Sequence, residues 1–236
     1  GLNRLDARGT GFERFLHDPA RAGNLANDWV YALHLGRSGT LWIGTVGGGI
    51  DRRDEQHDRF ENLRPSALTG GSGTLDDIFA LHEGPDGRLW VGTRGGLVVI
   101  DAAGRSARLL DLPDASGAQP LVTAMRPDGA GRLWVATMQQ GAIVVDLRSG
   151  EATRIPFETS LADGVAVHQP LLSIAAGPHH VFVGSWGAGV FRAPLEDPPF
   201  SLLGKLGHGG LRNPNVTAVL GVADAGRRWI GSFGGG

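Results

Sequence analysis

Short alternating runs of apolar and polar residues, cut by glycine-rich turns, organise this chain. Val30-Tyr31-Ala32-Leu33-His34-Leu35 alternates and is rich in β-formers, which predicts a strand. A turn at Gly36-Arg37-Ser38-Gly39 leads to a second strand, Leu41 to Thr45, and Gly47-Gly48-Gly49 turns the chain again. Ile50 to Asp54 reads as a third strand and Arg59 to Leu63 as a fourth. The order then recurs. First strands carry apolar residues at their first and fourth positions: Val30 and Leu33, Ile78 and Leu81, Val122 and Met125, Leu171 and Ile174, Val216 and Val219. Second strands carry an aromatic at 42, 90, 134, 182 and 229, so the copies lie 44 to 48 residues apart.

A period of this size, made of short β-like runs, predicts an all-β fold: a β-propeller of four-stranded antiparallel blades, with five repeats in this chain. One body over residues 1–236 is expected, with blades at about 28–63, 77–111, 121–157 and 170–203. Gly1 to Asp6 matches a third strand and Phe12 to Leu16 a fourth. Residues 216–222 and 228–232 match a first and a second strand, so 1–16 plus 216–232 is expected to make a composite fifth blade. An open arc cut from a larger propeller would show the same repeats.

The aromatics Trp42, Trp90, Trp134, Phe182 and Trp229 are expected between sheets as structural residues. Side chains of this kind bury roughly 150–250 Å² each. The glycine three residues before the aromatic (Gly39, Gly87, Gly131, Gly226) supplies the positive φ of a tight hairpin. The fourth copy has Pro178-His179-His180 there, so its turn is expected to differ. Two residues after the aromatic stand Gly44, Gly92, Ala136, Gly184 and Gly231. Because alanine is tolerated once, the demand at this point is for small size at a close sheet–sheet approach.

Composition narrows the function. A formal net charge of −2 gives no bulk attraction to nucleic acid or to an anionic membrane. A hydrophobic share of 41 % is enough for a packed core. The 39 glycines, far above the usual share of about 7 %, fall at fixed points of the repeat rather than in a linker. Zero cysteines exclude disulfides and thiolate metal sites. No apolar run reaches the roughly 18 residues of a membrane span. The chain opens and stops within a repeat, without an initiator Met or a signal peptide, and is read as a fragment of a longer protein.

Two segments carry a family resemblance. Asp86-Gly87-Arg88-Leu89-Trp90-Val91-Gly92-Thr93-Arg94-Gly95-Gly96-Leu97 resembles the two-component regulator propeller repeat, and so does Gly39-Thr40-Leu41-Trp42-Ile43-Gly44-Thr45-Val46-Gly47-Gly48-Gly49-Ile50. The stretch from His17-Asp18-Pro19 through Asn24-Leu25 into Val30-Tyr31-Ala32-Leu33 is similar to the segment between that family's repeats. Copies three and four diverge, with Met138-Gln139-Gln140 and Ala188 replacing glycines. The resemblance implies a periplasmic or otherwise extracytoplasmic sensor region, followed by a β-sandwich, a membrane helix and a cytoplasmic histidine kinase or diguanylate cyclase. It implies no catalytic residues and no cofactor, and rings that often hold seven blades. The implied partners are a small-molecule or glycan ligand, the downstream signalling domains of the same polypeptide and a second copy in a homodimer. Neither nucleic acid nor membrane contact is implied for this region.

Candidate ligand residues come from the turn between second and third strands. The residue after each Gly-Thr, Ala-Thr or Gly-Ser pair changes in every copy while its neighbours hardly change: Val46, Arg94, Met138, Trp186 and Phe233. In a radial array these side chains share one mouth. Aromatic platforms with a single arginine suit a sugar with an acidic group, or a small amphipathic ligand. The loops between blades (17–29, 64–77, 112–120, 158–170 and 204–215) lie on the same face, and His168 and His208 in them are further candidates. His34 and His82 occupy equivalent points, but no third ligand recurs with them, so no metal site is expected. An alternative reading is a propeller glycosidase, sialidase or lyase using Asp28, Asp76, Asp77 or Asp163 as its carboxylates, although Asp28, Asp76 and Asp77 are also natural turn residues. A second alternative is a propeller that docks a partner protein.

Overall fold

A computed structural model describes residues 1–113, 118–157, 170–196, 199–203, 210–211, 213–221 and 228–234. The chain comprises two compact units, Gly1–Leu110 and Asp111–Gly236. In unit one, β1 (Leu2–Leu5) pairs with β2 (Phe12–Phe15). A four-stranded sheet follows, with β3 (Val30–Leu35), β4 (Leu41–Thr45), β5 (Gly49–Asp54) and β6 (Arg59–Leu63) paired in sequence order. A second comprises β7 (Ile78–Glu83), β8 (Leu89–Thr93), β9 (Gly96–Ile100) and β10 (Ala107–Leu109). Unit two holds the sheet β11 (Val122–Pro127), β12 (Arg132–Thr137), β13 (Ala142–Asp146) and β14 (Ala152–Ile155). Next come β15 (Leu171–Ala176), β16 (His180–Ser185), β17 (Gly189–Pro194) and β18 (Ser201–Leu202), then the pair β19 (Val216–Gly221) and β20 (Arg228–Ser232). All pairings within these sheets are antiparallel between successive strands, so each four-stranded sheet is a propeller blade.

Blades stack through their first strands: β3 on β7 in unit one, β11 on β15 and β15 on β19 in unit two. The small residue of the repeat makes that approach possible. A Cβ at Gly44 would stand 2.5 Å from Ile78 Cγ2 of the next blade, and one at Gly184 would stand 2.5 Å from Val216 Cγ1. Neither glycine has positive φ, so size and not backbone freedom is what these positions require. Hairpin glycines are the opposite case: Gly39, Gly87 and Gly131 have φ of 84°, 79° and 88°. Gly226 lies outside the described residues.

The tertiary structure ranks the five aromatics. Trp90 and Trp134 are fully buried and Phe182 nearly so. Trp42 is half-buried under Arg52, and its indole Nε1 donates 2.9 Å to Glu83 Oε2 of the next blade. Trp229, on β20 of the β19–β20 pair, is by contrast 65 % exposed. The loop 64–77 also differs from a plain connection. It folds as α1 (Pro65–Thr69), with Pro at its start and Gly70 at φ 68° ending it, then a 3₁₀ turn, Gly73–Asp76. Among the described residues no helix is long and apolar enough to cross a membrane.

Candidate functional site

The Gly-Thr or Gly-Ser pair builds the turn that displays the variable side chains. The hydroxyls of Thr45, Thr93, Thr137 and Ser185 are fully buried and donate to the carbonyls of Gly49, Gly96, Gly141 and Gly189 at 3.0, 2.8, 2.8 and 3.0 Å. Each hydroxyl closes its own turn, so the next residue has one fixed exit direction. That residue is then tied to the end of the incoming loop. The backbone N–H groups of Val46, Arg94, Met138, Trp186 and Phe233 donate to the carbonyls of Trp29, Asp77, Leu121, Pro170 and Asn215 at 3.0, 3.1, 2.9, 2.8 and 2.9 Å. Each acceptor immediately precedes a first strand. The five candidates are therefore equivalent positions, locked by one repeated bond.

A β-bulge follows at the second residue of every first strand. The register shifts between Val30 and Ala32, Ile78 and Ala80, Val122 and Ala124, Leu171 and Ser173, and Val216 and Ala218. The bulged residues are Tyr31, Phe79, Thr123, Leu172 and Thr217. A bulge re-aims its side chain, which is why such features gather beside functional sites. Sequence reasoning passed over Tyr31 as one more residue of an apolar strand, yet it is 66 % exposed, and Trp29 just before the strand is 74 % exposed. The available signal was the aromatic pair Tyr31 and Phe79 at the same point of two copies.

In unit one, the Tyr31 and Phe79 rings meet edge to face at 4.9 Å, and the Arg94 guanidinium lies 5.7 Å from the Phe79 centroid. Arg94 Nε donates to Asp77 Oδ2 at 2.5 Å. Arg94 thus stands next to its own counter-charge, which removes the lone cation on which an acidic ligand was argued. Val46 is half-buried. In unit two, Trp186 and Phe233, 41 % and 64 % exposed, contact each other at 5.6 Å with a 38° tilt, and Met138 is half-buried. His168, His208 and Asp163 lie outside the described residues.

Carboxylates named for catalysis have local structural partners. Asp76 accepts from Ser66 N and Ser66 Oγ at 2.9 and 2.7 Å, and Asp28 Oδ1 accepts from His17 N at 2.8 Å. A buried carboxylate that the sequence reading missed is Asp51. It is fully enclosed, accepts from Ala26 N and Asn62 Nδ2 at 2.9 and 3.1 Å, and ties the loop 17–29 to its blade. Burial pushes its carboxyl above the usual range, against those two hydrogen bonds. His34 and His82 do meet, with ring centroids 5.5 Å apart, and His34 Nε2 accepts from Glu83 N at 3.0 Å. Among the described residues no group of three potential ligands forms a metal site. Pro178, His179 and His180 line a groove of about 540 Å³ in unit two together with Asp128, Arg132 and Glu196. Burial works to raise the Asp128 carboxyl there. Hydrogen bonds from Ala130 N, Arg132 and Trp134 outweigh it and hold the group below its usual range.

Comparison with known proteins locates this architecture. Residues 24–47 and 72–95 match the two component regulator propeller family. No curated protein matches the chain. Among solved structures, all of the chain (100 %) is similar to 30 % of the extracellular domain of a hybrid two component system from B. thetaiotaomicron, at 18 % identity and a TM-score of 0.78. An extracellular domain described as a one component system from the same organism matches 94 % of the chain over 27 % of its own length, at 15 % identity and a TM-score of 0.71. PorZ, a bacterial surface component of the type-IX secretion system of Porphyromonas gingivalis, matches 89 % of the chain over 31 % of its own length, at 17 % identity and a TM-score of 0.66. The chain thus spans less than a third of each of these proteins, and at such identities the likeness is one of fold. With its blade architecture and its matches at 24–47 and 72–95, this chain carries two-component regulator propeller repeats.

Proposed function

We propose that the chain is the non-catalytic sensor propeller of a bacterial two-component or diguanylate cyclase signalling protein. It works outside the cytoplasm, in the periplasm. It takes a small molecule or glycan on the side of the blades where the turns after the second strands meet the loops between blades. Its other partners are the signalling domains of the same polypeptide. The carrying observation is the fivefold lock at Val46, Arg94, Met138, Trp186 and Phe233: one backbone bond, five different side chains. A rigid frame that presents a different residue at each copy is how a repeat scaffold builds recognition. The exposed Trp186–Phe233 contact supports a ligand there, since neighbouring large aromatics left open to solvent mark binding surfaces. The repeat match at 24–47 and 72–95 supports the sensing role.

The test is a thermal-shift screen of the chain against polyols, oligosaccharides and other small metabolites. A ligand at about 100 times its Kd stabilises the folded state by about 2.7 kcal/mol. The expected result is a shift that disappears in the Trp186→Ala, Phe233→Ala double variant with the unliganded melting point unchanged. A screen without any shift would sink the reading.

A further inference from the structure

We propose that unit two carries a binding site for a small zwitterion: an amino acid or short peptide whose free carboxylate meets Arg132 and whose free ammonium meets Glu196. The site is the groove of about 540 Å³ between the sheet β11–β14 and the sheet β15–β18. That volume falls in the range of small-ligand pockets, about 300–1,000 Å³. The groove lies at the His180 end of β16, whereas Trp186 follows the other end of that strand. It is thus separate from the loop-side ligand proposed above and does not rest on that reading. One wall is the turn from Asp128 to Arg132, and the other is Pro178 to His180 together with Pro194 to Glu196.

The two walls carry opposite charges with unused bonding capacity. The fully buried Asp128 side chain accepts from Arg132 N and Nε at 3.2 and 2.6 Å, and from Ala130 N and Trp134 Nε1 at 2.8 and 3.3 Å. That carboxylate is saturated and withdrawn from solvent, so it orients Arg132 without competing for a ligand. Arg132 keeps 33 % of its side chain exposed, and its two terminal nitrogens have no protein partner among the described residues. A guanidinium fixed at Nε offers a planar pair of donors, the match for a carboxylate. On the other wall, the exposed Glu196 carboxylate and the ring nitrogens of His179 and His180 have no hydrogen-bond partner among the described residues either. The imidazoles supply polar contacts to a peptide bond, and Pro178, Pro194 and the buried Leu195 supply apolar surface. This wall is fixed in advance. Leu195 N donates to His179 O at 3.0 Å, Gly177 N donates to His180 O at 2.8 Å, and His180 pairs with Pro194. A plain anion would meet Glu196 as a like charge, and a plain cation would meet Arg132. A zwitterion satisfies both walls.

Isothermal titration of the full chain tests this, with alanine, leucine and their di- and tripeptides as probes, each also in N-acetylated and C-amidated form. The expected result is binding of at least one unblocked probe, weakened about five-fold or more by either block. Glu196→Gln should weaken the free probe as much as acetylation does and leave the acetylated probe unchanged, because both changes remove the same ion pair. Arg132→Gln should behave in the same way toward the amidated probe. Glu196 is exposed, so Glu196→Gln should keep the melting point of the unaltered chain, and its result stands even where Arg132→Gln loosens the Asp128 turn. Failure of every unblocked probe to bind overturns the inference, as does a blocked probe that binds as tightly as its free form. Binding that survives Glu196→Gln but is lost in the Trp186→Ala, Phe233→Ala double variant also overturns it, while leaving the sensor reading intact.

Discussion

The third strands of two blades, β5 in unit one and β17 in unit two, occupy the same place in the repeat and solve it with opposite chemistry. In β17 the inward positions are Phe191 and Ala193, both buried. Phe191 meets Phe157 edge to face at 5.0 Å, and Phe157 stacks on Phe200 at 4.8 Å, which in turn meets Trp134 at 5.9 Å. In β5 the same positions are Asp51 and Arg53, and both are buried as well. Asp51 is satisfied by Ala26 N and Asn62. The Arg53 guanidinium lies against both the Phe15 and Phe60 rings, 5.0 and 4.8 Å from their centroids, and pairs with Asp58. Burial is therefore a property of the position, not of the residue type. A blade accepts ions at core positions when hydrogen bonds and a counter-charge meet them there, and aliphatic or aromatic packing does the same job without that condition.

Three measurements bear on the contrast. The largest effect is expected in unit two, where Phe191→Ala removes a fully packed ring and should cost about 3–5 kcal/mol by denaturant unfolding. A loss under 1 kcal/mol would mean that the aromatic cluster is not what holds this blade. In unit one, Asp51→Ala leaves the part-buried Ala26 N–H without its acceptor, while Asn62 keeps its bonds to the Gly48 and Ile50 carbonyls, for an expected cost of about 1–3 kcal/mol. Hydrogen exchange should place the loosening at residues 17–29, and a loss equal to that of Phe191→Ala would erase the distinction. The smallest effect is the acid response of the β5–β6 hairpin. The side-chain hydrogen bond from His57 holds the Asp54 carboxyl below its usual range, and bonds from Arg53 and Arg52 do the same for Asp58 and Glu61. Groups lowered in the folded state stabilise it above the ordinary carboxylate range of about 4, and that contribution is lost as the pH falls further. Asp51 works with the opposite sign: its raised carboxyl costs stability as the pH rises through and above that range. Amides 53–61 should thus exchange faster at pH 3 than at pH 5, after correction for intrinsic rates, while those of β17 keep their protection. Equal loosening of both strands would show that ion pairing is not what separates them.

What could be read from the chain alone was whatever is local and repeated. Gly39, Gly87 and Gly131 announce their hairpins because positive φ is a property of one residue. Gly44 and Gly184 announce a close approach because alanine at 136 shows that only size matters. The strands and their antiparallel order follow from alternation and from turns too short for any other pairing. Five equivalent display positions were legible too, since variation at Val46 and its counterparts stands out against constant neighbours. Which of those side chains meet one another was not. Arg94 reads as an isolated cation until Asp77, 17 residues earlier, is brought to 2.5 Å. Trp229 reads as Trp134 does, yet Trp229 is exposed while Trp134 is buried and meets Phe200, 66 residues later, at 5.9 Å. Nothing in the sequence marks Asp51 and Arg53 as buried; Ala26, Asn62 and two phenylalanines enclose them in the fold. Propensity and periodicity act within a few residues of the chain, whereas burial and charge pairing depend on what the folded backbone brings alongside, and only the tertiary structure holds that information.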